Sequence, residues 1–135
     1  MHRDAAAQFA ACLDREDYAA ARDFLAPDCA YLAGGRTIRG AAAVLADYQA
    51  NGDWGRSVLD RIVYTSRVVE SDAEQAVVEF SDEIERGGRR HVHLSRQRLW
   101  FDGGGHIMRI ENIDDPAAAA HLAAFFVAVG VERPE

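Results

Sequence analysis

Residues 74–114 read EQAVVEFSDEIERGGRRHVHLSRQRLWFDGGGHIMRIENID: three strand-length runs of roughly alternating character, parted by Gly87-Gly88 and by Gly103-Gly104. A glycine pair accepts the positive φ values that two-residue hairpin turns demand, so the stretch predicts a three-stranded antiparallel meander. Antiparallel pairing is one to one, and the first turn then sets Val78 opposite Gln97, Phe80 opposite Ser95, Asp82 opposite His93 and Ile84 opposite His91 on one face. The other face pairs Glu79 with Arg96 and Glu85 with Arg90, the opposite-charge rows a solvated face should show. Treating Gly103-Gly104 in the same way places Leu99 opposite Met108, Gln97 opposite Ile110, Ser95 opposite Asn112, His93 opposite Asp114 and Arg96 opposite Glu111. That second register also sets Arg98 beside Arg109, a like-charge pair, and a bulge at the triple glycine would slide it by one residue.

The inner face so defined carries Ala76, Val78, Phe80, Leu99, Phe101, Met108 and Ile110 toward one end. Asp82, His93, Ser95, Asn112 and Asp114 cluster toward the other. An apolar wall leading to a few convergent polar groups is the chemistry of a small-molecule site.

The rest of the composition narrows the function. With 135 residues, 49% of them apolar, the chain is long enough for one core and reads as a single domain over residues 1–135. A formal net charge of −7, with arginines scattered among acids, argues against a nucleic-acid partner. The opening residues lack a cationic segment followed by an apolar run, and the alanine-rich run from Ala117 to Val131 is broken by His121. No leader and no membrane association are therefore expected. Cys12 and Cys29 have no metal-ligand spacing and read as reduced, buried thiols of a cytoplasmic protein.

Taken in order, residues 3–14 predict a helix with Phe9 and Leu13 one turn apart, and residues 16–25 a second helix ending before Pro27. Residues 28–33 and 36–39 read as strands about Gly34-Gly35. A third helix starts at Gly40, presents Val44 and Tyr48 on one face and stops at Asn51-Gly52, leaving Trp54 in a loop at a pocket rim. Residues 57–70 form a long strand whose inward face the alternation leaves open, so that either Arg61 or Tyr64 approaches Asp82. Asp115 and Pro116 suit the N-cap and first position of a last helix, whose Leu122, Phe125, Phe126 and Val129 form a stripe that must cover the sheet or a partner subunit. Helices segregated from a mostly antiparallel sheet make an α+β domain.

This order, with FLAPDCAY (residues 24–31) closing the second helix, IRGAAAVLADY (38–48) opening the third and GGHIMRIENIDDP (104–116) ending the sheet, resembles the nuclear-transport-factor-2-like superfamily. Its members include ketosteroid isomerase, limonene epoxide hydrolase, scytalone dehydratase and the SnoaL-like polyketide cyclases. The resemblance implies a cone in which a curved sheet, N-terminal helices and a C-terminal helix enclose a pocket. It also implies a homodimer associating through the outer face of the sheet. It does not carry over an intact catalytic set. The oxyanion tyrosine of ketosteroid isomerase falls on Phe9 and its aspartate on Ala33. Of the Arg-x-Asp strand motif and second aspartate of limonene epoxide hydrolase only Asp82 is retained, with Phe80 and Asn112 at the other positions. Scytalone dehydratase uses a histidine paired with an aspartate, and the strand histidines here lie elsewhere. SnoaL-like cyclases use an acidic base in the same region, a part Asp82 fits.

The resulting expectation is a cofactor-independent acid/base site without a metal, with Asp82 as base and His93 as its partner. Asn112, Ser95 and Gln97 would hold the small-molecule ligand, and Phe80, Val78, Leu99, Phe101, Met108, Ile110, Tyr48 and Trp54 would wall it. The alternative is a ligand-binding or dimerisation module without turnover.

Overall fold

The computed structural model describes residues 2–132; Met1 and residues 133–135 of the predicted domain lie outside the described residues. The elements run α1 (His2–Asp14), α2 (Tyr18–Arg22), β1 (Leu25–Ala33), β2 (Arg36–Arg39), α3 (Ala41–Val58), β3 (Arg61–Ser71), β4 (Gln75–Arg86), β5 (Arg89–Phe101), β6 (Ile107–Ile113) and α4 (Pro116–Ala128). The strands form one curved, open sheet in the order β2-β1-β6-β5-β4-β3. Every neighbouring pair is antiparallel except β1 with β6, which is parallel. The molecule is α+β, as the segregation of helices and strands predicts.

The turn at Gly87-Gly88 sets the β4–β5 register as expected: φ is +58° and +79° at the two glycines, and Val78 faces Gln97, Asp82 faces His93 and Glu79 faces Arg96. The β5–β6 register differs from the expected one by two residues. Asp102, not a glycine pair, organises this turn: its Oδ1 accepts from the backbone N–H groups of Gly104 and His106, and only Gly105 has positive φ, at +81°. The loop is therefore three residues long. Beyond it, Met108 is the extra residue of a bulge between the Phe101–Ile107 and Trp100–Arg109 pairs. Two one-residue slips return Ile110 and Asn112 to the inner face but change their partners. Gln97 now faces Asn112, Leu99 faces Ile110, and Arg98 faces Glu111 in place of the like-charged Arg109. Ile107 is fully buried where Met108 was expected, and Met108 is half-exposed. Asp114 follows the end of β6 and does not meet His93.

Helix boundaries move as well. The second helix is a single turn, and the residues of FLAPDCAY enter β1 rather than close a helix; the main-chain requirement of pairing with β6 outweighs the helical spacing of Tyr18, Ala21 and Leu25. Helix α3 continues through Asn51-Gly52 to Val58, so Trp54 sits on a helix rather than in a loop, and β3 starts at Arg61 rather than at Ser57. Asp115 caps α4 as predicted, its carboxylate accepting from the Ala118 N–H at 3.1 Å.

Two apolar clusters result. The larger joins Phe9, Leu13, Cys29, Tyr31, Val44, Val78, Leu99, Phe101, Ile107 and Ile110 between α1, α3 and the inner face of the sheet. The smaller joins Ile84 to Phe125 and Phe126 of α4, with Trp54, Leu59, Ile62, Leu122 and Val129 around them, so the α4 stripe covers the end of the sheet. Cys12 and Cys29 are both buried and unbridged. Among the described residues no helix is long and apolar enough to cross a membrane.

Candidate active site

Between the two apolar clusters lies a cavity of about 400 Å³, lined from both of them and from the polar rows of the sheet. That volume is in the range of ligand pockets. The inner face of the sheet behind it is built in rows. Tyr64, Asp82 and His93 stand side by side on β3, β4 and β5; the next row along holds Ser66, Phe80 and Ser95, and the one after it Val68, Val78, Gln97 and Asn112. Pairing with β4 thus resolves the orientation of β3: Tyr64, not Arg61, adjoins Asp82, while Arg61 pairs with Glu85. The helices contribute Leu13 and Asp14 from the end of α1, Tyr18 from α2, Tyr48, Asn51, Gly52, Trp54 and Gly55 from α3, and Leu122 with Phe126 from α4.

One end of the cavity is a closed hydrogen-bond network. Tyr48 Oη donates to Gln97 Oε1 at 2.6 Å. Gln97 Nε2 donates to Tyr31 Oη at 2.9 Å and to Asn112 Oδ1 at 3.1 Å, and Tyr31 Oη donates to the same Asn112 oxygen at 3.2 Å. Both N–H groups of Gln97 are thereby used. Burial raises the Tyr31 phenol to about 12 and the Tyr48 phenol well above its usual value, so both remain protonated donors at neutral pH. Among the described residues the Asn112 amide nitrogen and the Ser95 hydroxyl make no such bond, which leaves them as the neutral groups able to meet a ligand oxygen.

The other end is acidic. Burial, reinforced by the negative charge of Asp14, raises the Asp82 carboxyl to about 6. Burial and then Asp82 push the Tyr64 phenol up to about 12. Gly52 makes this crowding of phenols possible, because a Cβ at that position would lie 3.3 Å from Tyr18 Oη and 3.8 Å from Tyr64 Oη. Among the described residues no lysine or arginine lines the cavity, and no group of three or more His, Cys, Asp or Glu side chains is placed to hold a metal ion. Chemically, the arrangement offers a carboxylate that ionises near neutrality, an adjacent imidazole, neutral hydrogen-bonding groups about the opposite end, and aromatic walls.

Of the residues singled out from the sequence, Asp82, His93, Ser95, Gln97, Asn112, Phe80, Tyr48 and Trp54 come together on the cavity. Val78, Leu99, Phe101 and Ile110 are instead packed in the larger core, and Met108 points outward because of the bulge. His91 stacks on Phe125, with ring centroids 5.4 Å apart. Sequence reasoning missed Asp14, Tyr18, and Asn51, Gly52 and Gly55 of α3. A signal for Asp14 existed: an acid in the last turn of a helix is opposed by the helix dipole, which implies a local reason for its presence.

No protein-family model matches the sequence, and no curated protein matches it. Solved structures match it in fold. TerC, co-crystallised with polyporic acid, superimposes with a TM-score of 0.68 at 19% identity over 91% of this chain and 98% of that one. A candidate polyketide cyclase of Sinorhizobium meliloti gives 0.60 at 20% identity over 82% and 94%. An LEH-like epoxide hydrolase of Mycobacterium tuberculosis gives 0.61 at 19% identity over 94% and 96%. At such identities the likeness is one of architecture: the chain shares with these proteins an α+β fold in which helices pack on one face of a curved, open sheet.

Proposed function

We propose that this chain is a small-molecule enzyme of the SnoaL-like kind, performing cofactor-independent acid/base chemistry on a compact, largely apolar substrate with one carbonyl, hydroxyl or epoxide oxygen. The observation that carries the reading is Asp82: a carboxyl on the wall of a cavity, raised to about 6, adjoining His93 and Tyr64 on the same face. A base ionised at neutral pH yet stronger than an ordinary carboxylate suits removal of a proton from a carbon acid or from water. Asn112 and Ser95 would position the substrate oxygen, His93 would relay the proton, and Phe80, Trp54 and Phe126 would enclose the apolar part. The fold supports the reading at the level of class, since its neighbours include polyketide cyclases and an epoxide hydrolase.

A second reading, ligand binding without turnover, is favoured by one observation: Phe80 and Asn112 occupy positions where the epoxide-hydrolase pattern has an arginine and an aspartate, and Asn112 is tied into the Tyr31–Gln97 network. Screening small carbonyl, hydroxyl and epoxide compounds with wild type and Asp82→Asn separates the two. The enzyme reading expects turnover that the substitution lowers by roughly 10²–10⁴-fold while ligand affinity persists. Tight binding with no turnover of any compound would establish the binder.

A further inference from the structure

Asp82 is not the only carboxyl on the cavity wall. Asp14 closes α1 and lines the same cavity, and its Oδ2 accepts a 2.5 Å hydrogen bond from Ser66 Oγ. Ser66 lies on the inner face of β3 opposite Phe80, one row along from the Tyr64–Asp82 pair, so this bond pins the end of α1 beside the row that holds Asp82. The position is electrostatically unfavourable twice over. The carboxyl end of a helix repels an anion, and among the described residues no lysine or arginine lines the cavity to offset the two acids.

We propose that Asp14 is a positioning residue for Asp82: a second carboxylate, fixed by Ser66, whose negative charge opposes ionisation of Asp82 and so sets the pH range over which the site holds a charged base. The inference rests on the reading of Asp82 as that base. Other groups line the cavity around Asp82: Tyr64 and His93 flank it on the sheet, α2 contributes Tyr18, and among the described residues α4 contributes the apolar Leu122 and Phe126. From α3, the charges of Arg56 and Asp53 act on Tyr64, and Arg56 is paired with Glu16. The influences on Asp82 itself are burial first and the Asp14 charge second. Asp14 is likewise raised by burial, while the Ser66 bond counters that rise and favours its ionised form. Interacting carboxyls titrate as a pair.

The test is a titration of the aspartate carboxyl carbons by NMR in the full chain. Asp14→Asn is expected to lower the Asp82 midpoint, and Asp14→Glu, which keeps the charge, to restore it. A fall of roughly one unit would raise the ionised fraction of Asp82 at pH 5 from about one-tenth to about one-half, and the acid limb of any pH–rate profile would move with it. If Asp14→Asn does not fold, Asp14→Ser, equally neutral, takes its place and the same fall of the Asp82 midpoint is expected. A wild-type Asp82 midpoint near 6 that Asp14→Asn leaves unmoved overturns the inference and leaves Asp82 as the base. An ordinary carboxylate midpoint for wild-type Asp82 overturns both.

Discussion

At the scale of single residues, Asp82 sets the sign of a stability effect. Its folded pKa of about 6 exceeds the ordinary value of 3.8, so between those pH values the folded state binds more protons than the unfolded state. Its contribution to stability is therefore complete below about pH 4 and is lost as pH rises through about 6. The difference corresponds to at most about 3 kcal/mol, and partial exposure reduces it. Asp82→Asn is accordingly expected to stabilise the protein by about 1–2 kcal/mol at pH 7.5 and to be near neutral at pH 4, as read from urea midpoints at the two pH values. Equal shifts at both would contradict the assignment. A stabilising substitution at the proposed base is what a site that sacrifices stability for a buried charge should show. Tyr48 presents the opposite case: Tyr48→Phe deprives Gln97 Oε1 of its 2.6 Å donor without changing the packed ring, and should cost about 1–3 kcal/mol in the same measurement.

At the scale of elements, α3 carries two glycines that pattern reading treats alike and packing does not. A Cβ at Gly55 would meet Ile62 Cδ1 at 3.5 Å, an ordinary contact, whereas one at Gly52 would crowd Tyr18 Oη at 3.3 Å. Gly→Ala within a helix gains roughly 0.5–1 kcal/mol from backbone entropy. Gly55→Ala is therefore expected to raise the urea midpoint by about that amount, and Gly52→Ala to raise it less or lower it, while displacing the Tyr18 phenol on the cavity wall. The same helix shows where the sequence stopped being informative. Asn51-Gly52 reads as a stop by local propensity, and only the proximity of Tyr18 and Tyr64, unknown before folding, explains a glycine retained in mid-helix. Gly87-Gly88 acted locally, both residues adopting positive φ, so the β4–β5 register and the Asp82–His93 pairing were legible. The triple glycine misled because Asp102 recruits the turn through its side chain and Met108 bulges, two choices that alternation does not encode. Hence the inner face was read correctly on β4 and β5, the Gln97–Asn112 pair was not, and the parallel pairing of β1 with β6 had no local signal at all.

At the scale of the whole molecule, the outer face of the sheet is the surface that lacks a cover. Val92 and Leu94 are 52% and 46% exposed at alternate positions on β5, and Ile113, opposite Arg96 on β6, is 37% exposed on the same face. Single exposed aliphatic residues need no explanation, but a contiguous stripe on one face does. Around it run ion pairs of both signs, Glu83 and Glu85 with Arg90 and Glu79 with Arg67 and Arg96. A surface that is apolar at its centre and carries both charges at its edge is self-complementary under a two-fold axis, and we propose it as a homodimer interface. Two copies each bearing a formal charge of −7 repel at low ionic strength, so association through an apolar centre should tighten as salt rises to about 0.15 M. Light scattering is expected to give about twice the 14.8 kDa chain mass under that condition, and Leu94→Arg to return the mass to one chain while leaving the unfolding midpoint nearly unchanged, as befits a half-exposed site. Val127→Arg on α4, at a residue 80% exposed and outside the stripe, should leave the mass doubled. Because the cavity opens from the other face of the sheet, a monomeric Leu94→Arg that still binds ligand would place assembly and chemistry on opposite surfaces. A wild type that scatters as one chain at every concentration and salt would remove the dimer.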